Sequence, residues 1–163
     1  MILPDVLALR LRVVFCGTAA SARSALVGAY YAGPGNRFWP TLHEIGLTPR
    51  RLAPAEYGRV LELGIGLTDL AKRHSGADAE LPAAAFDRDG LRARIAAHRP
   101  RLLAFTSLTA ASIFLGRRRV TAGEQPERIG CTRLFALPSP SGRARGHWSI
   151  APWRALAREA GAR

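Results

Sequence analysis

The chain has 163 residues, and its 24 basic and 12 acidic side chains give a formal net charge of +12. A chain of this size is predicted to form a single domain, residues 1–163, that buries roughly two thirds of its unfolded surface. The hydrophobic share of 48% is typical of a globular protein, and no apolar run reaches the roughly 18 residues of a membrane span. Membrane, fibrous and disordered classes are therefore excluded, and the charge favours a polyanionic partner.

The positive charge is concentrated in the second half of the chain. Residues 86–163 hold 15 basic and 5 acidic side chains, whereas residues 1–85 hold 9 and 7. All the basic residues except Lys72 are Arg. A GC-rich coding sequence accounts for part of that preference, but a guanidinium also donates two hydrogen bonds at once to a phosphate. The second half is therefore predicted to carry most of the electrostatic contact with the partner.

The first elements in chain order are a strand and two helices. Residues 11–16 (LRVVFC) form an apolar run closed by a glycine, which predicts a buried strand of parallel type. Residues 17–35 are rich in Gly, Ala and Ser and are predicted to be a loop that lets backbone approach a ligand closely. Asn36 is a predicted N-cap for a helix over 37–45, and a second helix is predicted from Pro54.

The middle of the chain contains a predicted turn, a connection and a helix. Residues 64–70 (GIGLTDL) are interpreted as a glycine-punctuated turn, and residues 74–85 as a surface connection. A helix is predicted to begin at Asp87 or Asp89 and to end before Pro100.

Two further strands and two helices complete the predicted fold. Residues 101–107 and 132–137 are predicted strands, residues 109–115 a short helix, and a closing helix begins at Ser149 or Ile150. Strands that alternate with helices predict an α/β fold, a three-layer α/β/α sandwich around a mostly parallel sheet of four to five strands. In such sheets ligands bind beyond the carboxyl ends of the strands, where loops 17–35, 106–109 and 138–147 are expected to meet.

The two cysteines, Cys16 and Cys131, lie in apolar runs far apart in the sequence. Neither has a cysteine or histidine partner at ligand spacing, so a zinc site or redox motif is not indicated, and both are predicted to be buried free thiols. The N-terminal stretch MILPDVLALRLR lacks the pattern of a secretory leader. Residence in the bacterial cytosol is the resulting expectation.

Four motifs carry a resemblance to a known family. They are RVVFCG (12–17), YAGPGNRFWPTLHEIGLTP (31–49), GLTDL (66–70) and LPSPSG (137–142). In this order they resemble the mismatch-specific uracil-DNA and thymine-DNA glycosylase family, over residues 2–158. The resemblance implies a monofunctional enzyme that flips a pyrimidine out of duplex DNA and hydrolyses its N-glycosidic bond, without metal or cofactor. It also implies a small α/β/α sandwich, in agreement with the predicted elements.

The first motif departs from the family at the position of the catalytic amide. The family has GINPG there, whereas this chain has GTAAS over residues 17–21, so Ala19 stands in place of the Asn that positions the attacking water. A subset of the family with a similarly altered motif uses an Asp in the second block, which corresponds to Asp69. Asp69 is therefore the candidate catalytic residue, and the alternative is a helix N-cap before Leu70.

A carboxylate suits this chemistry because glycosidic cleavage passes through an oxocarbenium-like state. An ionised Asp stabilises that state while it orients or deprotonates a water. The departing base leaves as an anion, and backbone N–H groups can donate to its carbonyl oxygen whatever the side chains are. That role is predicted for Thr18, Ala19, Ala20 and Ser21.

Two more residues of the predicted pocket follow from the resemblance. Tyr31 aligns with the aromatic residue that stacks on the flipped base, and the alternative is a packed aromatic beside Tyr30. Ser24 aligns with a contact to the base or its phosphate, and the alternative is ordinary turn chemistry.

The last loop resembles the family's insertion loop, with Ser139 in place of its Asn. The residue after Gly142 is an apolar wedge in the family and Arg143 here, whose guanidinium can stack on the widowed base. Ser141, Arg145 and His147 are candidate phosphate contacts, and the alternative is a solvated basic loop. The run 117–119 (RRR) either contacts DNA or faces solvent.

The sequence thus predicts a DNA repair glycosylase, acting as a monomer on DNA that contains uracil, with G:U mismatches preferred because they cost least to open. One alternative is a protein that binds uracil or abasic DNA without cleaving it. The other is a glycosylase for a different lesion, such as hypoxanthine or an alkylated pyrimidine.

Overall fold

The fold is built on a five-stranded sheet with strand order β2-β1-β3-β5-β4. The computed structural model describes residues 1–162, apart from the side chains of residues 144 and 145. Four strands run parallel and β4 pairs with β5 in the antiparallel sense, which confirms the prediction of a mostly parallel sheet. The strands are β1 (Val13–Ala20), β2 (Ile65–Ser75), β3 (Leu102–Phe105), β4 (Gly123–Ile129) and β5 (Thr132–Ala136).

Five α-helices lie beside the sheet: α1 (Ala22–Val27), α2 (Phe38–Glu44), α3 (Arg88–His98), α4 (Leu108–Leu115) and α5 (Ala151–Glu159). 3-10 helices cover Pro54–Leu63, Asp78–Glu80, Ala83–Ala85 and Gly142–His147. No helix among residues 1–162 is long and apolar enough to cross a bilayer.

Side chains that alternate along the central strand β1 supply two separate hydrophobic cores. Val13 and Phe15 point to one face, where α2 and α5 pack with the 3-10 helix that follows Pro54. Val14 and Cys16 point to the other face, against α3 and α4. Helices therefore cover both faces of the sheet, as the predicted α/β/α sandwich requires.

Polar side chains begin several helices where the sequence predicted caps. Asn36 Oδ1 accepts a hydrogen bond from the Phe38 N–H at 2.9 Å, but the N-cap of α2 is Arg37, so the helix begins one residue later than predicted. Asp87 caps α3 through the Gly90 N–H at 2.9 Å. Of the two cysteines, both free, Cys16 is buried as predicted, but Cys131 is exposed, so that prediction was wrong.

The predicted loop and turn near the carboxyl ends of the strands were partly wrong. Residues 17–20 continue β1, and the next residues form α1, so the loop is shorter than predicted. Residues 65–70, predicted as a turn, lie inside β2. Gly66 breaks the sequence pattern, but in the structure a Cβ there would lie 2.7 Å from the Val6 carbonyl oxygen. It allows a backbone contact and does not mark a turn.

One strand was missing from the sequence prediction. β4 contains Pro126 and few apolar residues, which is unlike a central strand. It lies at the edge of the sheet, where it needs partners on one side only.

Candidate active site

A cavity of about 840 Å³ opens beyond the carboxyl ends of β1, β2 and β3. Residues from four separate segments line it, and they include eleven of the thirteen that the sequence singled out: Thr18, Ala19, Ala20, Ser21, Ser24, Tyr31, Asp69, Ser139, Ser141, Gly142 and Arg143. His147 is exposed and does not line the cavity, and the side chain of Arg145 lies outside the described residues. The fold thus brings most of the candidate residues to one place.

Asp69 lies on β2 beside Gly17 of β1, and only 4% of the residue is exposed. A Cβ built on Gly17 would lie 2.8 Å from Asp69 Oδ1, so the carboxylate occupies space that only glycine leaves free. Because Asp69 is inside a strand, the alternative of a helix N-cap is excluded. A buried carboxylate on the floor of a cavity has no evident structural task.

Burial raises the pKa of Asp69 from 3.8 to about 6. Lys72 and Arg94 lower it in part, while the carboxylate of Asp5 raises it. These three charges form a network behind the cavity, in which Lys72 Nζ lies 2.8 Å from Asp5 Oδ1 and Arg94 Nε 3.4 Å from Asp5 Oδ2. Arg94 also donates to the backbone carbonyl of Asp69 at 2.9 Å, which fixes the strand that carries the carboxylate.

Tyr31 places its hydroxyl next to this carboxylate. The Tyr31 hydroxyl oxygen lies 2.9 Å from Thr106 Oγ1. A Cβ built on Gly17 would lie 3.4 Å from the Tyr31 hydroxyl oxygen and 3.6 Å from Thr106 Oγ1. Burial raises the pKa of Tyr31, and the charge of Asp69 adds to that effect. Three oxygens from three different segments therefore converge above Gly17, which is a geometry that can hold a water molecule.

The backbone of Tyr31 has an unusual conformation, and its ring is packed on one face. Its backbone has φ of +53°, a left-handed value that is uncommon for a residue with a bulky side chain. One ring face stacks on Phe38 with centroids 3.9 Å apart and planes 24° apart. Tyr31 is thus both a packed aromatic, although its stacking partner is Phe38, and a lining residue of the cavity.

The serines near the cavity make local hydrogen bonds. Ser21 Oγ accepts from the Ser24 N–H at 3.1 Å and caps α1, while Ser24 Oγ accepts from the Ala32 N–H at 3.0 Å. The turn chemistry offered as the alternative for Ser24 is therefore present. These bonds fix the segment that carries Tyr31, and the Ser24 hydroxyl keeps its proton to donate.

The end of β1 presents backbone to the cavity. The Cys16 carbonyl accepts from the Thr106 N–H at 3.0 Å, just beyond the last residue of β3. In a parallel strand alternate residues direct their N–H and C=O groups to the same side, so the backbone of Thr18 faces a region that β3 no longer fills. Thr18 also donates its hydroxyl proton to Asp78 Oδ1 at 2.5 Å.

Sequence reasoning missed several polar residues of the cavity wall, among them Thr106, Asp78 and Glu80. Thr106 closes the floor, and Asp78 and Glu80 line the side that follows β2. Of these three, only Thr106 could have been found from the sequence, because its loop (106–109) was expected to meet loops 17–35 and 138–147. The two acids lie in a stretch that was interpreted as a surface connection, and no spacing in the sequence relates them to the cavity.

The last loop closes the mouth of the cavity. The Pro140 carbonyl accepts from the Arg37 N–H at 2.8 Å, and Arg37 lies 5.4 Å from the centre of the Trp148 ring. Ser139 Oγ accepts from the Ser141 N–H at 3.2 Å. Arg143, at the edge of the cavity, is exposed. The loop is therefore anchored at both ends and presents a guanidinium at its tip.

The protein is of the α/β class, and its cavity lies at the carboxyl ends of the mostly parallel strands. This is the usual place for a ligand site in this architecture, and it contains a buried carboxylate. The family model of the Uracil DNA glycosylase superfamily matches residues 4–157. The chain belongs to that superfamily.

A solved structure supports the same fold. The solution NMR structure of a "putative Uracil DNA glycosylase" from Methanosarcina acetivorans is similar, with a TM-score of 0.65 and 22% sequence identity. The alignment covers 98% of this chain and 96% of that chain. At this identity the likeness concerns the fold.

Proposed function

We propose that the protein is a monofunctional DNA glycosylase that flips uracil out of DNA, prefers G:U mismatches, and hydrolyses the N-glycosidic bond to leave an abasic site. Membership of the superfamily supports the activity in general. The observation that carries the specific proposal is the buried carboxylate of Asp69 above Gly17, at the floor of a cavity large enough for a nucleotide. It supplies the group that the altered first motif lacks.

In the proposed reaction Asp69 acts on the attacking water. The water oxygen bonds to C1′ of the deoxyribose, the bond between C1′ and the base breaks, and the base leaves with the electron pair. Asp69 takes the proton and, while ionised, stabilises the positive charge on the sugar. With a pKa of about 6 it is mostly ionised at pH 7 and is a stronger base than an exposed Asp.

The other cavity residues are assigned to the base and its charge. Tyr31 offers a rigid ring edge and face to the base, and its hydroxyl, with that of Thr106, helps to orient the water. The backbone N–H of Thr18, on the side that β3 no longer fills, donates to the carbonyl oxygen of the leaving base, with that of Ser21 beyond it. Ala19 and Ala20 pair with β2 instead. This role needs no side chain, so the loss of the family's Asn at Ala19 leaves it intact.

Duplex DNA is assigned to the loop over residues 139–147. Arg143 enters the space left by the flipped nucleotide and stacks on the widowed base. Ser141, Arg145 and His147 contact phosphates of the same strand. We further infer that the protein works as a monomer in the cytosol, where the DNA is found.

The test is a panel of labelled oligonucleotides that carry one lesion each. It contains uracil opposite G, opposite A and in a single strand, together with hypoxanthine and an alkylated pyrimidine in duplexes, and abasic product is detected by alkaline cleavage. We expect the fastest excision from G:U, because opening a mismatch costs least. Asp69→Asn should lower the single-turnover rate by about 10²- to 10⁴-fold.

Each alternative has its own result in this panel. Tight binding of uracil duplexes without any abasic product would identify a binding protein. Excision of hypoxanthine or an alkylated pyrimidine but not uracil would identify a glycosylase for another lesion. Equal rates for wild type and Asp69→Asn would remove Asp69 from the mechanism, and Asp78→Asn is the matched control because Asp78 is a second carboxylate of the same cavity.

A further inference from the structure

A second depression lies next to the candidate active site. It is a groove of about 380 Å³ between α4 and the segment that follows it, with a volume in the usual range of ligand sites. Its lining residues are Leu108, Thr109, Ser112, Ile113, Arg118, Arg119 and Val120. Thr109 lines both the groove and the main cavity, so the two are adjacent.

The arginine run beside α4 divides into one paired residue and two available ones. Arg117 bonds to Glu127 at 2.9 Å and to Gln125 Oε1 at 2.8 Å, so its guanidinium stabilises the edge strand. Arg118 and Arg119 are exposed, and neither lies within 4.0 Å of a carboxylate oxygen among the described residues. No acidic side chain lines the groove.

The chemistry of the groove fits a sugar-phosphate backbone. Two guanidinium groups provide forked donors for phosphate oxygens, and Thr109 adds a hydroxyl. Leu108 is 37% exposed and, with Ile113 and Val120, gives an apolar wall for the carbon face of a deoxyribose.

The distance from the main cavity also fits DNA. From Thr109 to Ile113 is about one helical turn, or roughly 5.4 Å along α4. A DNA strand carries one phosphate per roughly 3.4 Å of rise, so this step leads to the first or second phosphate beyond the flipped nucleotide.

We propose that this groove, defined by Leu108, Thr109, Arg118, Arg119 and Val120, is a second DNA subsite. It binds the backbone of the strand that places a nucleotide in the main cavity, on the side of α4. The proposal rests on the proposed function for the identity of that nucleotide. The DNA contact is then extended from the loop at 139–147 across the mouth of the cavity to the far side of α4.

The test measures binding and does not need catalysis. The probe is a fluorescein-labelled duplex with a stable abasic analogue, and its affinity is followed by anisotropy from 0.05 to 0.5 M salt. Each phosphate contact contributes about 0.9 to the slope of log K against log salt. One such contact therefore makes binding about eight-fold tighter at 0.1 M salt than at 1 M salt. The double variant Arg118→Gln/Arg119→Gln should therefore lose about 1.8 from the slope and bind roughly 60-fold more weakly at 0.1 M.

The control is Arg10→Gln, which removes one charge near the amino ends of β1 and β3, away from the cavity, where Arg10 donates its backbone N–H to the His98 carbonyl. Its slope should stay close to that of wild type. A second pair of variants introduces a negative charge at two leucines that are each 37% exposed. Leu108→Glu, in the groove, should weaken DNA binding strongly, whereas Leu61→Glu, outside it, should not.

A double variant whose slope equals that of Arg10→Gln would overturn the proposal and would mean that the groove serves another acidic partner. An affinity loss with an unchanged slope would overturn it too, because the arginines would then act through the fold. Thermal melting by circular dichroism shows whether the variants are folded. If wild type excises no base at all, the glycosylase proposal fails while the comparison of slopes still tests the groove.

Discussion

Replacing Asp69 by Asn should lower the rate of excision by about 10²- to 10⁴-fold and also make the protein more stable. Burial raises the pKa of the carboxyl from 3.8 to about 6, so the folded state resists its ionisation. A difference of about two pKa units is worth about 3 kcal/mol, at about 1.4 kcal/mol per unit. Asn has nearly the same shape and no charge, so it avoids this cost, although its buried amide also loses water. The gain at pH 7.5 is thus at most about 3 kcal/mol.

The sign of the pH dependence follows from the direction of the shift. Between pH 4 and 6 the folded protein holds a proton that the unfolded chain has lost, so stability falls as the pH rises through this window. Above pH 6 the full cost of the charge is present, and below pH 4 it is absent. The difference between wild type and Asp69→Asn should therefore be large at pH 7.5 and close to zero at pH 4.

Urea denaturation at pH 4, 5, 6 and 7.5 measures this difference. For a protein of this size, 3 kcal/mol corresponds to a rise in Tm of roughly 6–12 °C at pH 7.5. Glu62→Gln, at an exposed position, is the control and should change stability by less than about 0.5 kcal/mol at either pH. The reasoning is refuted if Asp69→Asn is no more stable than wild type at pH 7.5, or if the gain is equal at pH 4.

Three further outcomes test the geometry of the cavity. Gly17→Ala should lower excision by more than tenfold and destabilise the fold by about 1–3 kcal/mol, because its Cβ would lie 2.8 Å from the buried carboxylate oxygen. Thr106→Val should lower kcat by about 10-fold, since it removes the partner of the Tyr31 hydroxyl at 2.9 Å. Arg143→Leu should retain excision, because an apolar side chain can also fill the space left by the flipped nucleotide, and should leave the salt slope of binding close to that of wild type.

Each of these has a matched comparison. Gly58→Ala introduces a Cβ with nothing within 4 Å and should be neutral in both assays. The double variant Tyr31→Phe/Thr106→Val should have a kcat no lower than that of the more impaired single variant. If the two losses in log kcat add, the two hydroxyls act separately. If Arg143→Leu lowers the salt slope by about 0.9, its guanidinium contacts a phosphate instead of the widowed base.

The pH profile of excision gives an independent measure of the same carboxyl. Activity should rise about tenfold per pH unit below pH 6 and level off above it, because the reaction needs the ionised form. A profile that is flat between pH 5 and 8 would mean that no group with a pKa of about 6 controls the step.

The sequence determined the architecture through local patterns. Val13 to Cys16 and Leu102 to Phe105 are apolar runs with no polar interruption, which only strands buried on both faces require. Asn36 and Asp87 lie at the starts of α2 and α3, where their short polar side chains accept from backbone N–H groups two or three residues further on. Such features are visible in the sequence because cause and effect lie close together in the chain.

Longer-range contacts decided the rest. Gly66 looked like part of a turn, but it is needed because the carbonyl of Val6 approaches β2 from a different segment. Pro126 concealed β4, which only its place at the edge of the sheet makes possible. A local pattern carries no information about which distant segment will pack against it.

The candidate site shows the same division. Asp69 and Tyr31 were predicted from a family resemblance, which records a residue type at a position and no distances. Only the tertiary structure brought Thr106 beside them and put the Asp69 carboxyl in the space that Gly17 leaves open. Burial and the carboxylate of Asp5 raise the pKa of that carboxyl, and Lys72 and Arg94 lower it in part. Electrostatic and steric effects act through space, and so the sequence named the acid while the fold determined its chemistry.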